Sequence, residues 1–247
     1  MSTIPLPSQQ GRPLVIAHRG ASAYKPENTM AAYQLAIDQQ ADMIEIDLHT
    51  TQDGAIAVSH DGGLEHLGAK GKIADVCWAE LQQLDAGEGE RVPCLDEVLG
   101  RFGESIPFNL EIKTPEHGRY PGLEDAAVSA VEDHAILDRT LFSSFDDQVL
   151  AAVRRRSADA RIGLLLSPAG PQGAVARAQQ LGAEAINPHV LLVDADLVEA
   201  AHGEGMAVYV YTVDALDTML RLIDLRVDGL FTNRPDRMRE LLSSRGI

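Results

Sequence analysis

Short apolar segments alternate along the chain with longer amphipathic stretches. The apolar segments have the length of strands, and the first two are 14–18 (LVIAH) and 43–49 (MIEIDLH). The stretches between them carry apolar residues at helical spacing, as in 28–40 (NTMAAYQLAIDQQ). From residue 14 onward this gives eight strand–helix units, provided that a turn-rich insertion over residues 61–105 belongs to the second unit. Strands that alternate with helices predict parallel pairing, with the helices outside.

The number of units favours an α/β fold of the closed (β/α)₈ barrel type, a TIM barrel. Such a barrel typically needs about 250 residues, and the chain has 247. An open doubly wound sheet is the alternative arrangement of the same units. No tandem repeat or linker is visible, so the sequence predicts one domain over residues 1–247, with 61–105 inserted in it.

The second predicted strand carries carboxylates on one face. With a period of two residues, Ile44, Ile46 and Leu48 share one face, while Glu45 and Asp47 share the other. In a barrel the apolar face packs on the helices, and the carboxylates point inward near the C-terminal mouth. Burying two adjacent carboxylates without a partner costs several kcal/mol. The barrel therefore requires a divalent cation or a basic partner at this position.

Further ionisable residues fall at the C-terminal ends of predicted strands, where barrel enzymes carry their catalytic groups. They are His18, Arg19, His60, Glu111 and Lys113. Each has an ordinary structural explanation, such as a hydrogen-bonded histidine or a local ion pair, and the two carboxylates of the second strand could line the wet face of an edge strand. A purely structural role for the whole set requires all of these explanations to be true at once, and this requirement favours a functional site.

The set suits metal-assisted cleavage of a phosphoester. Glu45, Asp47 and Glu111 form an all-oxygen site, which suits Mg²⁺ or Ca²⁺ better than Zn²⁺. Arg19 and Lys113 supply positive charge for a phosphate, and the two histidines can act as general base and general acid. No P-loop motif occurs, so a kinase or an ATPase has no support.

The composition narrows the partners to small molecules. The net charge is −16 and the aromatic content 4%, which disfavours nucleic acids and anionic membrane surfaces. The sequence has neither a signal-peptide pattern nor an apolar run of membrane-spanning length, so we expect a cytoplasmic protein without stable membrane association. Cys77 and Cys94 lack a metal-binding spacing, and we expect them to be reduced, although the sequence leaves a disulfide open. The oligomeric state is not predicted.

Six motifs, in order over nearly the whole chain, resemble those of the bacterial, cytoplasmic glycerophosphodiester phosphodiesterases. They are AHRG (17–20), PENT (26–29), EIDLHTTQDG (45–54), SHD (59–61), LEIK (110–113) and DGLFTNRPD (228–236). The resemblance implies a (β/α)₈ barrel with an insertion after the second strand. It also implies metal-dependent hydrolysis of glycerophosphodiesters to sn-glycerol 3-phosphate and an alcohol.

The resemblance also assigns roles by position in this sequence. It implies His18 and His60 as the acid/base pair, Glu45, Asp47 and Glu111 as metal ligands, Arg19 and Lys113 as phosphate-binding residues, and Glu27 and Asn28 as supports of the mouth. Phe145 and Tyr211 are candidates for lining the pocket, although an aromatic residue at such a position is more often part of the core. We expect His18 near the attacking oxygen and His60 near the leaving alcohol, and the sequence leaves the reverse order open. The attacker is either water or the substrate's own glycerol hydroxyl.

Three features depart from the usual family pattern. The stretch GGLEHLGAKG follows the His-Asp pair in place of an Arg-Thr-Thr stretch, Tyr211 replaces a common Trp, and Asn233 replaces a common Asp. We expect none of them to touch the metal ligands or the acid/base pair. The first two could change the choice of substrate.

Two other functions compete with this one. A phospholipase-D-like activity on lysophospholipids would be favoured by an exposed apolar ridge around the insertion, for which Leu64, Leu67 and Trp78 are the candidates. A barrel that binds a ligand without catalysis would be favoured by the loss of a histidine or carboxylate, and none is missing from the set.

Overall fold

A computed structural model describes residues 11–116, 118–169 and 173–247. Its strands are β1 (Leu14–His18), β2 (Met43–Thr50), β3 (Ile56–Val58), β4 (Asp85–Gly87), β5 (Glu90–Arg91), β6 (Phe108–Ile112), β7 (Thr140–Ser144), β8 (Arg161–Leu166), β9 (Ala185–Pro188), β10 (Ala207–Val210) and β11 (Gly229–Thr232). Its α-helices are α1 (Met30–Asp38), α2 (Trp78–Leu81), α3 (Leu95–Phe102), α4 (Leu123–Asp133), α5 (Asp147–Arg156), α6 (Ala174–Leu181), α7 (Ala195–Gly203), α8 (Leu216–Asp224) and α9 (Pro235–Ser244). The prediction of a single domain over 1–247 stays a prediction, because residues 1–10 lie outside the described residues.

Eight parallel strands close into a barrel. Their order is β1, β2, β6, β7, β8, β9, β10 and β11, and β1 pairs in parallel with both β2 and β11. An open sheet would leave β1 or its neighbour with a free edge, so this double pairing confirms the (β/α)₈ barrel. No helix of the described ranges is long and apolar enough to cross a bilayer.

The insertion over residues 61–105 has two parts. Its first part holds α2 and the β4–β5 hairpin, and Leu64 and Leu67 are buried there in a small separate core. Its last part is α3, which packs against α4 and β3 and so supplies the outer helix of the second unit. The helix α2 is a single turn that ends at Leu81, and the chain becomes extended in β4 four residues later. Cys77 and Cys94 carry free thiols and precede α2 and α3.

The outward faces of the barrel strands pack against the helices, while the inward faces change from apolar to polar along the barrel axis. The outward residues of β2 (Ile44, Ile46 and Leu48) are buried against the helices, as predicted. The inward residues at the N-terminal end, including Leu14 and Phe231, form a separate apolar core. Apolar side chains therefore fill the lower part of the barrel, and the buried polar side chains are left at its C-terminal mouth.

Candidate active site

A cavity of about 280 Å³ lies at this mouth. It is lined by His18, Arg19, Glu45, His60, Asn109, Glu111, Lys113, Phe145, Leu165, His189, Tyr211, Thr212 and Phe231. Eight of the eleven predicted site residues are in this lining. The other three are outside the lining: Glu27 and Asp47 contact Arg19, and Asn28 contacts Asp47.

Strand register places the polar side chains in two levels. His18 of β1 pairs with Glu45 of β2, which pairs with Asn109 of β6. One pleat further on, Asp47 pairs with Glu111. Because side chains two residues apart on a strand point the same way, this register brings carboxylates from β2 and β6 together at the mouth.

Glu45, Asp47 and Glu111 form a carboxylate cluster in which one oxygen from each lies within 4.8 Å of the others. Glu45 is only 2% exposed. Its Oε2 accepts the backbone N–H of Arg19 at 3.0 Å, while its Oε1 has no hydrogen-bond partner among the described residues. Burial raises the pKa of Glu45 well above its usual value, and the charges of Asp47 and Glu111 raise it further. A buried, unpaired carboxylate oxygen in an all-oxygen cluster fits a hard divalent cation such as Mg²⁺ or Ca²⁺.

The cations of the site pair with the other carboxylates. Lys113 Nζ lies 2.8 Å from Asp47 Oδ1 and 2.6 Å from Glu111 Oε1, and Arg19 Nε lies 3.3 Å from Asp47 Oδ2. Although burial opposes both shifts, these contacts hold the pKa of Lys113 above its usual value and that of Asp47 below it. A basic partner therefore compensates Asp47 and Glu111 directly, and Glu45 is the carboxylate that a metal would satisfy.

The loop after β1 holds Arg19 in place. Gly20 has a φ of +82°, and a Cβ there would lie 2.7 Å from the backbone carbon of Ala32, so the close approach to α1 requires glycine. The guanidinium of Arg19 donates to both oxygens of Glu27, at 2.9 and 3.0 Å. Asn28 Nδ2 donates to Asp47 Oδ2 at 2.8 Å. The two residues of the PENT motif thus fix a cation and a carboxylate of the site.

The two candidate acid/base histidines have different partners. His18 Nδ1 lies 2.8 Å from the amide oxygen of Asn233, whereas His60 Nδ1 lies 2.8 Å from the carboxylate of Asp61. Burial, and next the charge of Arg19, lower the pKa of His18 to about 4. Burial, and next Lys113, lower the pKa of His60. The side chain of His60 is 36% exposed, so it can meet solvent or a leaving group at the cavity entrance.

The expectation that Asn233 would not touch the acid/base pair is wrong. Asn233 directly follows β11, and β11 pairs with β1, at whose end His18 lies. The two residues are 215 positions apart in sequence, and closure of the barrel brings them together.

Aromatic rings form one wall of the cavity. The rings of Phe145 and Tyr211 meet edge to face at 6.1 Å, and those of His189 and Tyr211 do so at 5.5 Å. The hydroxyl of Tyr211 donates to the carbonyl of Leu166 at 2.9 Å, which fixes its ring. Phe145 is 46% exposed and so lies at the rim.

Sequence reasoning missed a histidine that supports His60. His49 Nε2 lies 3.1 Å from the backbone carbonyl of His60, and its Nδ1 lies 2.7 Å from the hydroxyl of Tyr120. A carbonyl only accepts, so Nε2 carries the proton and the tyrosine donates to Nδ1. The signal was present in the strand alternation, because His49 shares the inward face of Glu45 and Asp47.

Comparison with known proteins agrees with this geometry. The sequence model of the glycerophosphoryl diester phosphodiesterase family matches residues 18–237. The chain belongs to this family. A glycerophosphodiester phosphodiesterase from Caldanaerobacter subterraneus subsp. tengcongensis is 34% identical over 242 residues, which cover 94% of this chain and 99% of that protein. Membership confirms the predicted family and makes the chain an enzyme, a phosphoric diester hydrolase.

Two solved structures extend the comparison to three dimensions. A protein from Silicibacter pomeroyi, 26% identical, superposes with a TM-score of 0.91 over 98% of this chain and 97% of its own. A phosphodiesterase from Oleispira antarctica, in complex with the product sn-glycerol-3-phosphate, is 30% identical and superposes with a TM-score of 0.84. That match covers 94% of this chain and 97% of the Oleispira chain.

Proposed function

We propose that this enzyme hydrolyses glycerophosphodiesters to sn-glycerol 3-phosphate and an alcohol, with a divalent ion, Mg²⁺ or Ca²⁺, held by Glu45, Asp47 and Glu111. One observation carries the proposal. The carboxylate cluster, with its unpaired Glu45 oxygen, lies at a cavity of about 280 Å³ that is also lined by His18, His60 and two cationic side chains. The sn-glycerol-3-phosphate in the Oleispira relative supports the choice of product.

The residues of the cavity divide the chemistry between them. Arg19 and Lys113 face the cavity and bind the phosphate oxygens. His18 takes the proton of the attacking oxygen, which belongs either to water or to the glycerol hydroxyl of the substrate, and His60, at the more exposed edge, gives a proton to the leaving alcohol. A bound divalent ion would neutralise the negative charge that develops on the phosphate.

The remaining predicted residues have supporting roles in this proposal. Glu27 keeps Arg19 oriented and Asn28 keeps Asp47 oriented, because each donates to or accepts from that side chain directly. Phe145 and Tyr211 form the apolar wall against which the glycerol carbons or the alcohol group pack.

We propose a small, water-soluble substrate and a cytoplasmic enzyme. The net charge of −16 disfavours approach to an anionic bilayer. The lysophospholipid alternative called for an apolar ridge on the insertion, but Leu64 is 2% and Leu67 is 8% exposed. The third candidate, Trp78, is partly buried against the same small core.

The test is release of sn-glycerol 3-phosphate from glycerophosphocholine and from glycerophosphoethanolamine, with Mg²⁺, with Ca²⁺ and with EDTA. The variants are His18→Ala and Glu45→Ala, and His134→Ala is the matched control because His134 pairs with Asp96 outside the cavity. We expect metal-dependent release that falls about 100-fold or more in both site variants and is unchanged in the control.

Three results would contradict the proposal. Release of sn-glycerol 3-phosphate that persists in EDTA would show that the reaction does not need a metal ion. Cleavage of a lysophospholipid, without release from either soluble diester, would favour the alternative substrate class. Metal binding without cleavage of any of these substrates would favour the non-catalytic barrel.

A further inference from the structure

A chain of hydrogen bonds leads from Asp214 to His18 behind the cavity wall. Asp214 follows β10 and Asn233 follows β11. The amide Nδ2 of Asn233 donates to Asp214 Oδ2 at 2.7 Å, and its Oδ1 lies 2.8 Å from His18 Nδ1. Ser22 Oγ also lies 2.8 Å from this Oδ1.

Asp214 fixes which way the amide of Asn233 points. The carboxylate of Asp214 accepts three hydrogen bonds, from the backbone N–H of Asn233 at 2.8 Å, the hydroxyl of Thr232 at 2.9 Å and the amide Nδ2 of Asn233. A flipped amide would place the oxygen of Asn233 against a carboxylate oxygen, and neither could donate. The amide oxygen of Asn233 therefore faces His18.

The amide oxygen in turn determines where the proton of His18 resides. An amide oxygen only accepts, so Nδ1 of His18 must carry the proton, and Nε2 of the neutral ring is left with a lone pair. His18 lines the cavity, where that lone pair can receive a proton. His60, in contrast, contacts the carboxylate of Asp61 through its Nδ1, a partner that stabilises a protonated ring.

We propose that Asp214 is a positioning residue that, through the amide of Asn233, holds His18 in the tautomer with an unprotonated Nε2 and so makes His18 the general base. This rests on the proposed function, because it specifies the proton transfer of that reaction. As the attacking oxygen bonds to phosphorus, its proton moves to Nε2 of His18. The bond from phosphorus to the leaving oxygen breaks, its electron pair stays on that oxygen, and His60 supplies the proton that completes the alcohol.

Asp214→Asn tests the proposal because it reverses the direction of the hydrogen bonds that run from residue 214 through Asn233 to His18. The backbone N–H of Asn233 cannot move away, so the one remaining oxygen of residue 214 stays with it and the new NH₂ group faces Asn233 Nδ2. The amide of Asn233 must then turn its NH₂ toward His18 Nδ1, which becomes an acceptor, and the proton moves to Nε2. We expect kcat to fall about 100-fold or more, with KM little changed, because Arg19, Lys113 and the carboxylate cluster are untouched.

The double variant Asp214→Asn/Asn233→Asp exchanges the two side chains and should rescue the activity that Asp214→Asn loses. A carboxylate at position 233 accepts both from His18 Nδ1 and from the new amide at position 214, so the acceptor that faces His18 is restored. We expect the double variant to recover most of the kcat that the single variant loses. A purely structural role of Asp214 predicts no such recovery. Asp228→Asn is the matched control, since Asp228 also accepts a strand N–H, from Val208 at 2.8 Å, but outside the cavity.

The tautomer is read directly by long-range ¹H–¹⁵N correlation of the histidine rings in ¹⁵N-labelled protein with Mg²⁺. His18→Ala identifies the signals of His18. We expect a proton on Nδ1 in the wild type, in Asp228→Asn and in the double variant, and on Nε2 in Asp214→Asn. The spectrum needs no turnover, so a protein that cleaved no diester would refute the proposed function and still test the tautomer.

Three results would overturn the inference. One is a wild-type His18 with its proton on Nε2, which can be observed even if no variant folds. The second is an Asp214→Asn protein that keeps both the wild-type tautomer and the wild-type kcat. The third is a folded double variant that remains as inactive as the single one.

Discussion

Replacement of Glu45 by Gln should change stability in opposite directions with and without metal. The amide side chain of the variant keeps the oxygen that accepts the backbone N–H of Arg19 at 3.0 Å. Its NH₂ group takes the place of Oε1, which has no partner among the described residues and belongs to a cluster whose ligand oxygens lie within 4.8 Å of one another. The substitution therefore removes a buried negative charge without leaving a new polar group unpaired.

Two bounds give the size of the effect in the metal-free protein. Ligand oxygens of the cluster lie within 4.8 Å of one another, and two unit charges at that distance repel by about 3.5 kcal/mol at an effective dielectric constant of about 20. The second bound applies if Glu45 stays protonated in the folded protein at pH 7. Protonating a carboxyl whose pKa in the unfolded chain is about 4.3 then costs about 3.7 kcal/mol of folding free energy. Because Arg19 and Lys113 offset part of the repulsion, we expect Glu45→Gln to stabilise the metal-free protein by about 2 kcal/mol.

The sign of the pH dependence follows from the raised pKa of Glu45. Between the unfolded and folded pKa values, the folded protein holds a proton that the unfolded chain has released, so wild-type stability falls as pH rises above about 4.3. The amide introduced by Glu45→Gln cannot titrate, and the advantage of the variant in EDTA should grow with pH over that window.

A bound metal ion should make the wild type more stable than Glu45→Gln, the reverse of the order in EDTA. Mg²⁺ at about 100 times its Kd adds about 2.7 kcal/mol to a protein that binds it, and the variant, which lacks one ligand charge, should gain far less. Thermal unfolding in EDTA and in Mg²⁺ measures both effects, at about 2 to 4 °C per kcal/mol for a chain of this size.

The matched control is Glu124→Gln. Glu124 lies on α4, is 6% exposed and pairs with Arg119, which precedes that helix. Its loss should destabilise the protein equally with and without metal. A Glu45→Gln protein that is less stable than the wild type in EDTA, or that gains as much from Mg²⁺ as the wild type does, would refute the assignment of Glu45 as an uncompensated metal ligand.

Two further predictions concern the base of the barrel and the loop of His60. Asp42 accepts hydrogen bonds from Arg12, from Arg239 and from the backbone N–H of Val15. Although burial opposes the shift, these partners lower the pKa of Asp42. Asp42→Asn should therefore reduce the free energy of unfolding by about 2 kcal/mol at neutral pH. Denaturant unfolding should show this difference disappear as pH falls through the pKa of folded Asp42, and a difference independent of pH would contradict the ion pair. His49→Phe removes the donor to the carbonyl of His60 and should lower kcat about 10-fold by displacing that ring. Steady-state kinetics and a metal titration test this, and lost metal affinity with unchanged kcat would count against it.

Much of the site was predictable because it is local in the sequence. Alternation on β2 identified the inward face of Glu45 and Asp47, and the same two-residue period identified Glu111 and Lys113 on β6. In a parallel barrel the strand ends gather at one mouth, so strand positions alone predicted that these groups would meet. The motif that contains His60 follows β3 closely, and it was found for the same reason.

The sequence by itself determined the strand–helix alternation, the inward carboxylates and the choice of His18 and His60 as candidate acid/base residues. The tertiary structure alone decided which groups touch. Lys113 bridges Asp47 and Glu111 while Glu45 Oε1 stays unpaired, and this depends on strand register, which a two-residue period does not specify. Asn233 reaches His18 because barrel closure pairs the last strand with the first, and such a contact between distant parts of the chain leaves no periodic signal in either segment.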